Sequence, residues 1–316
     1  VIVLVRAFLA AAVGEATAAV KRLSYLQSHQ HKLIMLRRSF SCKLQHVQRL
    51  VPTSGHVDLL REYDECLVAS VADLLVGQRP FTELAATKVH LPAALGGLEI
   101  ESAAARADAC YYSSLTSAYF RLAVLDQDWV EDVYTSFQSH GHAPLAALAD
   151  AKERLCATPG ASDLMAKFSV HDRPPGAQAK LVNLKHASAV DDLVRTLPPR
   201  EATVMHASAL APHLISITAS GDARLRVPNN VLATNLAMRL SVTQIPTTPF
   251  NGAATEGSRC PGCAQYHVNA HLDGMISCGP AGTALCTLWH DDVARLSNKR
   301  RQGSASRANW NRPASR

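Results

Sequence analysis

Between residues 20 and 50, apolar side chains return every three or four positions: Leu23, Leu26, Leu33, Phe40, Leu44 and Val47. That period marks a helix with one buried stripe, and it predicts a helix across 20–50, ended by Pro52. Residues 58–76 repeat the pattern, with Leu59, Leu60, Tyr63, Leu67, Val71 and Leu74 inward, until GQRP breaks it. The next stretch, KVHLPAALGGLEIESAAARADACYYSSL, runs from Lys88 to Leu115. Its Pro92, Gly96 and Gly97 predict a loop, because helix crosses such residues only at a cost. Ser102 is a good N-cap for the alanine-rich helix that follows. On that helix Ala103, Ala107, Cys110, Ser114 and Ala118 form a stripe of small residues, which permits close helix packing.

Further along, TPGASD (158–163) and HDRPPGAQ (171–178) read as linkers or long loops. A helix is predicted over 179–197, ended by Pro198 and Pro199, and another over 228–241. TQIPTTPFNGAATEGS then links to a cysteine-rich segment. There is no internal repeat and no convincing run of period two, so the expected fold class is mainly α. Composition agrees: 47% apolar and 18% charged suit a folded chain, while 5% aromatic and abundant alanine favour helices over a β-sandwich. The apolar N-terminus VIVLVRAFLAAAVGEATAAV is interrupted by Arg6 and Glu15, too soon for a membrane span, and lacks the basic lead-in of a signal peptide. A start at Val1 rather than methionine suggests a fragment or a processed product.

Charge sharpens the picture. The net +6 is unevenly spread: residues 1–49 hold eight Lys/Arg and one acid, Glu15, and residues 299–316 hold six and none. The remaining 18 bases face 25 acids. Basic ends on an acidic body point to a polyanion touched at particular places. The candidate contacts are Lys21, Arg22, Lys32, Arg37, Arg38, Lys43 and Arg49, interleaved with His29, His31 and His46. A merely solvated basic face is the competing reading.

Catalytic carboxylates are not evident. Asp191–Asp192 and Asp291–Asp292 are adjacent pairs in helical context, where neighbouring side chains diverge by about 100°. A solvated helix face is the expectation for both. No P-loop, G-x-S-x-G or H-E-x-x-H occurs, and His29-x-His31 reads as a surface pair rather than a ligand pair.

The segment RCPGCAQYHVNAHLDGMISCG has different chemistry. Cys260-x2-Cys263, then His271 and Cys278, supply three sulfurs and one imidazole. Four such ligands fill a tetrahedral Zn²⁺ shell and leave no open position, so the expected metal is structural. His267 is an alternative imidazole, and Cys286 and His290 are spare ligands. Cys42, Cys66, Cys110 and Cys156 read instead as small buried hydrophobes. Histidine beside clustered cysteines favours metal over disulfides, and hence a reducing compartment.

Taken in order, four stretches resemble the part of non-LTR (LINE-type) retrotransposon reverse transcriptases that follows the catalytic palm, in elements with a restriction-like endonuclease. MLRRSFSCKLQHVQRLVP is similar to the helical thumb segment. LPAALGGLEIESAAARADACYYSSL is similar to the L-P…G-G-L-G motif and the helix behind it, with Glu99 where the last glycine usually stands. VLATNLAMRLSVTQIP resembles the linker helix, and CPGCAQYHVNAHLDGMISC with LWHDDV resembles the C-x2-C…H…C knuckle and its R-H-N or R-H-D signature. His290 and Asp291 match that signature, while Trp289 occupies the arginine position. The Y-x-D-D palm motif and the R-P-D nuclease motif do not occur.

The resemblance implies a thumb-like helical region over 1–157 and a helical linker domain over 158–250. A zinc-knuckle-like unit over 251–298 and a basic disordered tail over 299–316 would follow. It implies element RNA and target DNA as partners, no membrane and no small-molecule substrate. Mg²⁺ would serve only the absent palm of an RNA-directed DNA polymerase, and this chain would hold nucleic acid without catalysing. The implied localisation is nuclear, with cytoplasmic ribonucleoprotein assembly. The alternative is a helical zinc-containing scaffold, or a decayed relic with no activity.

Overall fold

Helix is the regular structure found among the described residues, with no strand, as the three-to-four period of the sequence requires. The computed structural model describes residues 2–75, 81–125, 128, 143–167, 176–210, 227 and 229–242. One compact unit comprises 1–76, 81–219 and 228–241. The second, 77–80, 220–227 and 242–316, contributes only Val227 and Val242 to the described residues. The expected zinc-knuckle segment and basic tail, 251–316, therefore lie outside them. Among the described residues, no helix is long and apolar enough to cross a membrane.

Helix α1 (Ile2–Lys21) packs on α4 (Val57–Ala72). Leu9, Val13, Ala16 and Val20 recur every three or four positions on α1, and all are buried. The six apolar positions expected to face inward around α4 are buried too, from Leu59 to Leu74.

The single helix expected over 20–50 is a correction. The chain there folds as a 3₁₀ turn (Arg22–Tyr25), α2 (His29–Met35), a π turn (Leu36–Phe40) and α3 (Gln45–Leu50). Gln30, Arg37, Ser41 and Gln48 fall at the same three-to-four spacing from the expected apolar positions, and they are buried with them. Ser28 restarts the helix as the N-cap of α2, its hydroxyl accepting from the His31 amide. At the π turn the Ser41 amide reaches back to the Leu36 carbonyl, and the Ser41 hydroxyl donates to Arg37 at 2.6 Å. The Tyr63 hydroxyl donates to the Phe40 carbonyl at 2.7 Å and pins the turn to α4. Of the stripe residues expected inward, Leu26 alone is exposed.

α5 (Glu83–His90) begins at Thr82, whose hydroxyl accepts from the Ala85 amide. The periodicity did not single it out. α6 (Ala103–Leu125) is the central helix and packs against α3 and α4. It also packs against α7 (Ala143–Cys156) and α9 (Ala177–Thr196). Its small-residue stripe permits this close approach at the start of the helix: Ala103, Ala107 and Cys110 are buried, while Ala118 is exposed. Burial pushes the Cys110 thiol up to about 11.

Ser102 caps α6 as expected, its hydroxyl accepting from Ala105. A second cap comes from α4. Buried Asp64 accepts from the Ala103 and Ala104 amides and from the Ser102 hydroxyl, at 2.6 to 3.1 Å. A carboxylate at a helix N-terminus gains from the dipole and from several donors at once. Sequence spacing gave no hint of it, because Asp64 lies 39 residues before Ala103.

Tyr111 and Tyr112 of α6 form one core with Leu148 and Leu155 of α7, Met165 of α8 (Ala161–Met165) and Leu181 of α9. This core joins residues on both sides of 157. α9 ends at extended Leu197, before Pro198, as expected. α10 (Pro199–Leu210) and α11 (Asn229–Arg239) complete the described unit, the latter inside the expected 228–241.

Candidate nucleic-acid interface

No acid occurs between Glu15 and Asp58, and the basic candidates occupy that interval. The fold does not treat them alike. Lys21, Arg22, Arg38, Lys43 and Arg49 are exposed, and Lys32 is half-buried. Arg22, Lys32 and Arg38 make no side-chain hydrogen bond or ion pair with the described residues. Lys43 lies 3.7 Å from Glu15, a loose exposed pair of little energetic weight. Arg49 donates twice to the Gln178 side chain on α9, at 3.0 and 3.2 Å.

Arg37 is the exception. It lies within the π turn, its side chain is 4% exposed, and it pairs with the Glu99 carboxylate. Its charge serves the interior, so it does not belong to a solvent-facing contact surface. Sequence reasoning grouped it with its neighbour Arg38. Arg37 lies four positions from Leu33 and three from Phe40, on the apolar stripe, whereas Arg38 lies off it.

The loop between α5 and α6 sets the position of Glu99. Pro92 opens a 3₁₀ turn (Ala93–Leu95), and Gly96 follows with φ +86°. Gly97 lies so near the chain that a Cβ would sit 2.1 Å from the Leu91 carbonyl oxygen, which no side chain permits. The amides of Gly97, Leu98, Glu99 and Ile100 then donate back to Pro92, Lys88, Leu91 and Val89. Glu99 itself takes φ +60°. That left-handed conformation suits glycine.

α11 clamps the same loop. Arg239, buried, donates to the carbonyls of Gly97 (2.8 Å), Ala93 (2.6 Å) and Ser208 (2.8 Å). Burial, with help from nearby Arg37, pushes its guanidinium down to about 10. Lys88, fully buried on α5, donates to the Ser241 hydroxyl at 3.0 Å and is pushed down to about 8, chiefly by burial. At the other end of α11, the Asn229 side chain accepts from the His29 amide and donates to the Gln27 carbonyl, at 3.0 and 2.9 Å. Three sequence stretches, around 35–52, 88–115 and 229–242, therefore meet at one loop. Sequence reasoning missed both Lys88 and Arg239. The available signal was a cation inside an otherwise apolar helical stripe.

His29 is held at the start of α2, and burial lowers its pKa. His29 and His31 are both half-buried rather than a fully exposed pair. Asp191 and Asp192 stand exposed on α9, and Asp192 pairs with Arg195 at 3.0 Å. Asp291, Asp292 and the expected zinc ligands Cys260, Cys263, His271 and Cys278 lie outside the described residues. Among the described residues, no cluster of His, Cys, Asp or Glu is arranged to hold a metal. Comparison with family models, curated proteins and solved structures finds no match to this chain.

Proposed function

We propose that this chain is a nucleic-acid-binding part of a non-LTR retrotransposon reverse transcriptase, gripping template RNA or target DNA without catalysing. One observation carries the reading. Across a stretch with no acids, the fold turns Arg37 inward and keeps Lys21, Arg22, Lys32, Arg38, Lys43 and Arg49 at least partly accessible. Accessible cations with few acids near them attract phosphates by releasing their counterions. The meeting of three resembled stretches at one loop adds support, since it gives those stretches a shared structural purpose.

Cys260, Cys263, His271 and Cys278 fit Zn²⁺ by the chemistry of their donors, since three thiolates and one imidazole make a closed, soft shell. In this reading they fix a small fold beside the basic tail. The protein acts in the nucleus after ribonucleoprotein assembly in the cytoplasm.

The test is a salt titration of RNA binding. Affinity falls steeply with salt, and Lys21→Gln, Arg22→Gln and Arg38→Gln together flatten the slope by about two to three. A flat salt response, or no binding in low salt, overturns the proposal.

A further inference from the structure

Tyr25 is the most exposed aromatic side chain among the described residues, at 82%. Its hydroxyl makes no hydrogen bond with them. At this exposure the ring leaves a face open to a partner.

Its setting is built rather than loose. Tyr25 closes the 3₁₀ turn Arg22–Tyr25, and that turn is anchored by buried Leu23. The Ser24 hydroxyl donates to the Lys21 carbonyl at 2.9 Å, and the Leu26 amide donates to Leu23 at 3.0 Å. In a 3₁₀ turn, side chains three apart eclipse one another and stand about 6 Å apart along the axis. Arg22 and Tyr25 are three apart. A cation and an open aromatic ring therefore project from the same side of one short turn, with Lys21 beside them.

That spacing matches the two ends of one nucleotide, a phosphate and a base joined by a sugar. We propose that Tyr25 is a stacking platform for an unpaired base, so that this interface takes single-stranded nucleic acid in preference to duplex. The ring face accepts any base, while Arg22 and Lys21 hold the flanking phosphates. In a duplex both faces of each base are already stacked, and Tyr25 has nothing to cover. This inference rests on the nucleic-acid reading above and adds the class of strand.

The experiment uses the full chain in low salt, with a labelled single-stranded oligonucleotide and a hairpin duplex of equal length, read by fluorescence anisotropy. Tyr25→Ala weakens single-strand binding about tenfold and changes duplex binding by less than about twofold, while Tyr25→Phe matches wild type on both. Equal affinity of Tyr25→Ala and wild type for the single strand overturns the stacking role. Equal losses on both strands, or a loss in Tyr25→Phe as large as in Tyr25→Ala, also overturn it. The nucleic-acid reading survives each of those results. Failure of wild type to bind either oligonucleotide overturns both.

Discussion

Replacing Glu99 by glycine sets two opposing effects against each other. Glu99 sits at φ +60°, where a side chain costs about 1–2 kcal/mol that glycine avoids. Glycine returns about half of that gain through its greater freedom in the unfolded chain. On the other side stands the charge. Arg37 is 4% exposed on its side chain, its anionic partner Glu99 is 45% exposed, and a second buried guanidinium, Arg239, lies near enough to feel Arg37. Removing a carboxylate that is half in solvent costs less than breaking a fully buried pair, about 2 kcal/mol. The charge term wins, and Glu99→Gly destabilises by about 1 kcal/mol. For a unit of this size that lowers Tm by about 3 °C. Thermal unfolding followed by circular dichroism measures it. The companion change Arg37→Met, made in the Glu99→Gly background, restores most of the loss, because the guanidinium that lost its carboxylate is gone and Arg239 no longer feels its charge. Glu99→Gly that is neutral or stabilising would refute the reasoning, and would mean that relief of the backbone outweighs the ion pair.

Two more outcomes follow from buried or clustered chemistry. Lys88 is fully buried with its ammonium pushed from 10.5 to about 8, so keeping it charged at pH 7 costs the fold about 3 kcal/mol. Below pH 8 it is charged in both states and the cost is full; from pH 8 to about 10.5 the unfolded chain binds the extra proton, so stability rises with pH. Lys88→Met therefore stabilises at pH 7 by about 1–2 kcal/mol after loss of the Ser241 hydrogen bond, and its advantage shrinks towards pH 10. Urea midpoints at both pH values check this, and an advantage that does not change with pH counts against it. For the cysteine segment, metal analysis of the full chain gives about one zinc per molecule, lost in Cys260→Ser and His271→Ala and kept in His267→Ala. A His271→Ala chain with full zinc removes His271 from the ligand set.

Much of the fold is written locally. Period three-to-four placed the buried face of α4, Pro198 and Pro199 marked the end of α9, Ser102 marked the start of α6, and Gly96 and Gly97 marked the loop. These signals are short-range. A cap bonds amides two or three residues on, and a stripe repeats every turn. The line of basic residues was equally legible, because charge sums along the chain without regard to path.

The sequence could not say what would receive a buried cation. Arg37 and Arg38 are neighbours of one chemical type, yet one is buried against Glu99 and the other exposed. Spacing puts Arg37 on the apolar stripe, but its carboxylate lies 62 residues away, and the turn that holds it is fixed by the Ser41 bonds and by Tyr63, 23 residues from Phe40. Asp64 at the start of α6 and Arg239 in the Gly97 loop were hidden for the same reason, with partners 39 and 142 residues away. The sequence alone determined a helical chain with a basic stretch that lacks acids. Tertiary structure alone made it possible to bury one of those charges, because burying a charge requires a counterpart that only folding brings within reach.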